Sequence, residues 1–206
     1  MTEEGEDQSG GDACTKERDP AAGATALLII DMLNTFEFGG GDAMLAPAER
    51  AAEAIAPLRE QAGETGVPVI FVNDNYDQWH SDRSRLVELC RNGKGGALAE
   101  RLEPRADDYF VIKPQFSGFY ATNLPVLLPR LGVSRLVLTG VAADICLLFT
   151  AADAHMREYD LWAPADCTAS SDPQRTEWAL EIMRGSMKAD TRPTTEATLA
   201  DWLTVA

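Results

Sequence analysis

From Ala24 onward, short unbroken apolar runs alternate with longer stretches whose apolar residues recur at helical spacing. Few folds accept that rhythm besides a parallel sheet wrapped by helices. The expected strands are Thr25–Asp31, Val67–Asn73, Tyr109–Lys113, Arg135–Gly140, Asp160–Pro164 and Met187–Asp190. None shows the polar alternation of a strand with one wet face, which is the pattern of strands covered by helices on both sides. Between them, Ala51, Ile55, Leu58 and Ala62 mark one helix, and Ile145, Leu148, Phe149, Ala152 and Met156 another. Asp172 followed by Pro173 is the start signal of a third, and Thr194-Thr195-Glu196 is expected to open a last one. With 206 residues and no internal repeat, the chain is expected to form a single three-layer α/β/α domain.

Residues 1–22 stand apart. They carry seven acidic side chains against Lys16 and Arg18 and almost nothing large and apolar, so they are expected to form a disordered acidic tail ahead of a folded unit at 23–206. The whole chain has a formal charge of −15, a field that repels phosphate backbones and anionic lipid and argues against nucleic-acid or membrane partners. The apolar run Ala26–Ile30 is far short of the ~20 residues of a membrane span, and the acidic N-terminus lacks the cationic segment of a secretory signal. A cytoplasmic location is expected. The four cysteines, Cys14, Cys90, Cys146 and Cys167, form no CxxC pair, which argues against a zinc ribbon or a disulfide framework.

In an open parallel sheet, ligands bind beyond the carboxyl ends of the strands. Three chemically active residues fall there. Asp31 closes Ala-Leu-Leu-Ile-Ile-Asp, Lys113 closes Tyr-Phe-Val-Ile-Lys, and Cys146 follows Leu-Val-Leu-Thr-Gly at the start of a helix. A helix N-terminus is expected to lower a thiol pKa. Taken singly, the aspartate could be a helix cap, the lysine a solvated charge and the cysteine a core residue among Ile145, Leu148 and Phe149.

Taken together, these segments resemble the isochorismatase-like cysteine hydrolases, the superfamily that includes nicotinamidases and N-carbamoylsarcosine amidases. The resemblance runs from Ala24 to about Thr198 through Leu-Ile-Ile-Asp-Met-Leu-Asn-Thr-Phe (28–36), Val-Ile-Lys-Pro-Gln-Phe-Ser-Gly-Phe (111–119) and Thr-Gly-Val-Ala-Ala-Asp-Ile-Cys (139–146). It implies a six-stranded parallel sheet in the order 3-2-1-4-5-6, an Asp31-Lys113-Cys146 triad, a cis peptide at Val141–Ala142 and an oxyanion hole made by the amides of Ala142 and Cys146. It also implies a homo-oligomer, a dimer or tetramer. Cys146 would attack a carbonyl, with Asp31 moving the proton and Lys113 favouring the thiolate.

The sequence departs from its relatives in two places: Ala143 stands where the family often has Thr, and Leu33 where it commonly has Gln, with Asn34 beside it as a partial replacement. Nicotinamidases hold a divalent metal with an aspartate and several histidines after the second strand, and this chain has only His80 and His155. No metal or other cofactor is therefore expected. The segment Val-Asn-Asp-Asn-Tyr (72–76) followed by Trp-His-Ser-Asp-Arg (79–83) resembles a less characterised branch. Asn34, Phe36, Asn73, Tyr76, Trp79, Phe116 and Phe119 are expected to line the substrate pocket, the alternative being that the aromatics pack on the domain. His80 reads as a surface or substrate-loop residue, Cys167 as a bystander, and Arg83, Arg85 and Lys94 as weak candidates for holding an anionic substrate.

The expected function is metal-independent hydrolysis of a small-molecule amide, carbamoyl or ureide-like C–N bond through a thioester. The alternatives are isochorismate-type vinyl ether hydrolysis, which proceeds by protonation without the thiol, a non-catalytic small-molecule-binding protein of the same fold, and a redox thiol protein pairing Cys146 with Cys167.

Overall fold

The computed structural model describes residues 24–204; the expected acidic tail lies outside the described residues. In chain order the elements are β1 (Ala24–Ile30), α1 (Gly41–Thr65), β2 (Val69–Asp74), α2 (Arg83–Arg91), α3 (Gly96–Arg101), β3 (Tyr109–Lys113), α4 (Leu124–Arg130) and β4 (Val133–Val141). There follow a π-helical turn (Ala143–Leu147) that runs into α5 (Leu148–His155), then β5 (Asp160–Trp162), β6 (Thr168–Ala169), α6 (Pro173–Met187) and α7 (Leu199–Thr204).

The strands pair in parallel in the order β3-β2-β1-β4-β5, and β6 pairs with the end of β4. Alternate residues of β1 point to opposite faces and enter two separate cores. Leu27 and Ile29 pack with Met44, Ile55 and Leu58 of α1 and with Trp202 of α7. Ala26, Leu28 and Ile30 pack with Leu124 of α4, Ala151 of α5 and Leu180 of α6. Each Leu or Ile fully buried this way is worth about 1.5–3 kcal/mol, so the central strand anchors both layers.

The helix boundaries follow local chemistry. α1 is longer than its central apolar pattern suggests and ends at Gly66, whose left-handed φ of 72° lets its N–H reach the Ala62 and Gly63 carbonyls. At α6, Asp172 caps the Gln174 N–H with Pro173 in the first turn, as the sequence indicates.

Two boundaries are corrected. α6 extends to Met187, so the expected strand at Met187–Asp190 shrinks to one bridge, Trp162 to Asp190, on the outer edge of β5. The last helix begins at Leu199 and not at Thr194, because the Thr194 N–H and hydroxyl are bound to the Asp166 carboxylate. Thr198 and Asp201 cap α7 reciprocally.

Candidate active site

The register of the sheet assembles the site. Ile30 pairs with Val72 of β2 and Gly140 of β4, and Asp74 pairs with Lys113 of β3. Asp31, Asp74 and Lys113 therefore stand at the carboxyl ends of three adjacent strands, and the chain beyond β4 carries Cys146 over them. Asp31 leaves the strand at a φ of 51°, in the left-handed region, which non-glycine residues occupy rarely and often at functional sites. Its N–H is held by the Val72 carbonyl at 3.0 Å.

Lys113 is fully buried. Its ammonium lies 2.9 Å from Asp31 Oδ2, 3.3 Å from Asp74 Oδ2 and 3.5 Å from Cys146 Sγ. An ammonium has three protons and no acceptor, and here it pairs with Asp31 and donates to Asp74 and Cys146. The other oxygen of Asp31, Oδ1, accepts the Asp74 N–H at 2.7 Å.

Burial pushes the Asp31 carboxyl above the ordinary carboxylate range, against the pull of Lys113 and a hydrogen bond with Cys146. Burial also works to lower the Lys113 ammonium, but Asp31, Cys146 and Asp74 outweigh it and hold it firmly charged. The Cys146 thiol is pushed up by burial and by Asp31, with Lys113 only partly opposing them. This reverses the sequence expectation of a thiol activated at a helix start. A π-helical turn in apolar surroundings beside a carboxylate favours the neutral thiol over the thiolate.

The Val141–Ala142 peptide is cis. The Ala142 carbonyl accepts the N–H groups of Ile145 and Leu147, both at 3.1 Å, which folds the π-helical turn back over the strand end. Ala142 and Cys146 both line a cavity of about 420 Å³ together with Asp31, Asn34, Phe38, Gly39, Gly40, Met44, Asp74, Tyr76, Phe116, Asp144, Ser171 and Arg175. The volume suits a small molecule.

Of the seven expected pocket residues, Asn34, Tyr76 and Phe116 line this cavity. Four do not. Phe36 is fully buried in the core with Leu33 and Met44, turned inward by a φ of 55°. Asn73 is buried and ties the Leu33 backbone through its side-chain oxygen and nitrogen. Phe119 packs in the opposite core against Tyr159. Trp79 is 72% exposed and sits with His80 and Arg85 at a separate surface depression. Cys167 is buried in the core, its thiol pushed up by burial and by Asp166.

The sequence reading missed Asp74, Asp144 and Arg175. Asp144 Oδ2 receives Arg175 Nη1 at 2.8 Å and Oδ1 receives the Ser170 hydroxyl at 2.5 Å. Burial alone would raise this carboxyl, but those two partners hold it below its usual range. The cation at the cavity is thus Arg175, not the weak candidates. Arg83 donates to the Pro104 and Arg105 carbonyls, Arg85 pairs with Asp82 and Lys94 with Asp42.

A profile of the isochorismatase domain matches residues 25–196. The chain belongs to the isochorismatase family. This family member is 40% identical over 165 residues to the uncharacterized isochorismatase family protein YaaI of Bacillus subtilis, spanning 80% of this chain and 91% of that one. It is 31% identical over 182 residues to the ureidoacrylate amidohydrolase RutB of Serratia proteamaculans, spanning 75% and 73%. The family fold is shared with an isochorismatase family protein from Desulfovibrio vulgaris, at a TM-score of 0.72 and 30% identity over 88% of this chain and 99% of that one. It is shared too with N-carbamoylsarcosine amidase from Thermoplasma acidophilum, at 0.66 and 28% over 85% and 99%. Among the described residues no helix is long and apolar enough to cross a membrane, and no group of three or more His, Cys, Asp or Glu side chains is disposed to hold a metal ion.

Proposed function

We propose that this isochorismatase-family protein is a metal-independent cysteine hydrolase that cleaves an amide, carbamoyl or ureide C–N bond of a small molecule through a thioester on Cys146. The observation that carries the reading is the single buried ammonium of Lys113 within reach of both Asp31, at 2.9 Å, and Cys146, at 3.5 Å. A thiol kept neutral needs a base at the moment of attack, and Asp31, raised by burial, is that base.

The Cys146 proton passes to Asp31 as sulfur bonds to the carbonyl carbon, and the amides of Ala142 and Cys146 receive the oxyanion. Collapse breaks the C–N bond, and the proton on Asp31 goes to the departing nitrogen. Water then gives a proton to Asp31 and attacks the thioester. The C–S bond breaks, the sulfur recovers the proton from Asp31, and the acid leaves. Positioned proton transfer of this kind contributes roughly 10²–10⁴-fold. The similarity to a ureidoacrylate amidohydrolase and to an N-carbamoylsarcosine amidase favours ureide and carbamoyl groups as the electrophile.

The test is release of ammonia or amine from a panel of primary amides, N-carbamoyl amino acids and ureido acids by wild type and Cys146→Ala. Turnover by the wild type that falls at least about 10³-fold in the variant is expected. Undiminished turnover in Cys146→Ala, or activity confined to a vinyl ether substrate, would overturn the reading.

A further inference from the structure

Asp74 was absorbed by no step above, yet it is the residue on which the site hangs. β2 lies between β1 and β3 in the sheet, and Asp74 closes it. Its backbone N–H donates to Asp31 Oδ1 at 2.7 Å, and its Oδ2 receives the Lys113 ammonium at 3.3 Å. Its Oδ1 accepts the Tyr76 N–H at 2.8 Å, which fixes the carboxylate relative to the loop that follows. The side chain is 37% exposed and faces the cavity. The site therefore sets two carboxylates against one ammonium, an excess of negative charge beside a residue whose work is to accept a proton.

We propose that Asp74 is the positioning carboxylate of this site: it bridges β1 and β3, centres Lys113 between Asp31 and Cys146, and by its charge keeps Asp31 a strong enough proton acceptor to take the thiol proton. A lone Asp31–Lys113 pair would be neutral, and an ammonium wholly committed to Asp31 would weaken it as a base. Sharing the ammonium with a second carboxylate removes part of that pull, and the like charge of Asp74 acts on Asp31 in the same direction. The groups facing Asp31 are Lys113 from β3, Asp74 and Tyr76 from the end of β2 and the loop beyond it, and Cys146 from the π-helical turn. Asp144 and Arg175, across the cavity, are paired with each other.

The inference rests on the proposed proton transfer from Cys146 to Asp31, but its test needs no substrate. Iodoacetamide alkylates Cys146 with loss of iodide as the thiol proton passes to Asp31. The rate is followed against pH by mass spectrometry of the Cys146-bearing peptide in the full-length protein, and the lower-pH step of the profile reports Asp31. In Asp74→Asn that step is expected to move to lower pH by about one unit, so that the variant reacts faster than wild type below the wild-type midpoint and more slowly above it. Asp74→Glu, which restores the charge, is expected to return the step toward wild type. Asp74→Ser, which keeps the backbone N–H to Asp31 and drops the charge, reads the same shift should Asp74→Asn fold poorly. A lower-pH step that stays in place, or moves upward, in the uncharged variants overturns the inference. A shifted step in a protein that hydrolyses no member of the substrate panel leaves the inference standing and counts against the proposed function alone.

Discussion

The Lys113 ammonium and the Cys146 thiol lie 3.5 Å apart although 33 residues separate them in the chain. β3 delivers the lysine, fully buried, to the carboxyl edge of the sheet, and the turn after β4 brings the thiol down onto it. Its ion pair with Asp31, at 2.9 Å, gives Lys113 a structural part as well. In Lys113→Met, Asp31 loses its buried counter-ion, and the expected cost is about 3 kcal/mol at neutral pH, the scale for breaking a buried ion pair.

The pH dependence of that cost has a defined sign. Asp31 already lies above the ordinary carboxylate range, and removing the ammonium raises it further, while the unfolded chain keeps an ordinary value of about 3.9. Between the two values the folded variant holds a proton that the unfolded one lacks, so stability is fully present at the acid end and is lost as pH rises through the window. Urea unfolding at pH 5 and pH 8 is expected to show the smaller loss relative to wild type at pH 5.

Cys146 is expected to behave as a neutral thiol beside a base. Its alkylation by iodoacetamide should climb in two steps, the first as the Asp31–Cys146 pair loses one proton and the second, above the ~8.5 of a free thiol, as it loses the other. A single plateau reached below pH 7 would instead mark a resting thiolate.

Gly140 pairs with Ile30, one residue before Asp31, at a φ of 118°. A Cβ there would overlap the Ile30 carbonyl oxygen, and that φ is itself costly for any L side chain. Gly140→Ala is expected to lose about 3 kcal/mol or more and to displace Asp31 from its partners. Thermal unfolding together with turnover reads both effects.

Arg175 offers its guanidinium at the cavity with only one nitrogen given to Asp144. The KM of substrates carrying a carboxylate is expected to rise about tenfold in Arg175→Gln, the worth of one charge-assisted hydrogen bond, while neutral amides keep their KM. Parallel KM measurements on a ureido acid and its amide separate the two.

Asp31, Lys113 and Cys146 were legible in the sequence because each closes or follows an apolar run, and strand ends in a parallel sheet converge on one edge. Asp74 obeys the same rule. It escaped because the expected second strand stopped one residue early, at Asn73, and side chains alternate faces at each step. Phe36, Trp79 and Phe119 were misplaced for another reason. The direction of a loop side chain follows from backbone angles, such as the positive φ of Phe36 and Tyr76, that residue type does not announce. Asp144 and Arg175 meet across 31 residues, a long-range pairing with no local signature. Six strands were expected and six form, but the one expected at Met187–Asp190 failed at a boundary, since Met187 continues the apolar pattern of α6 as readily as it opens a strand.

The most direct test of the central claim is intact-mass spectrometry of wild type and Cys146→Ala after incubation with small amides, carbamoyl compounds and ureides and a quench in acid. The account predicts an acyl adduct on wild type that is absent from the variant, with a mass equal to the substrate less its leaving amine. Substrate consumed with no adduct at any time of quench, and consumed equally by Cys146→Ala, would contradict it.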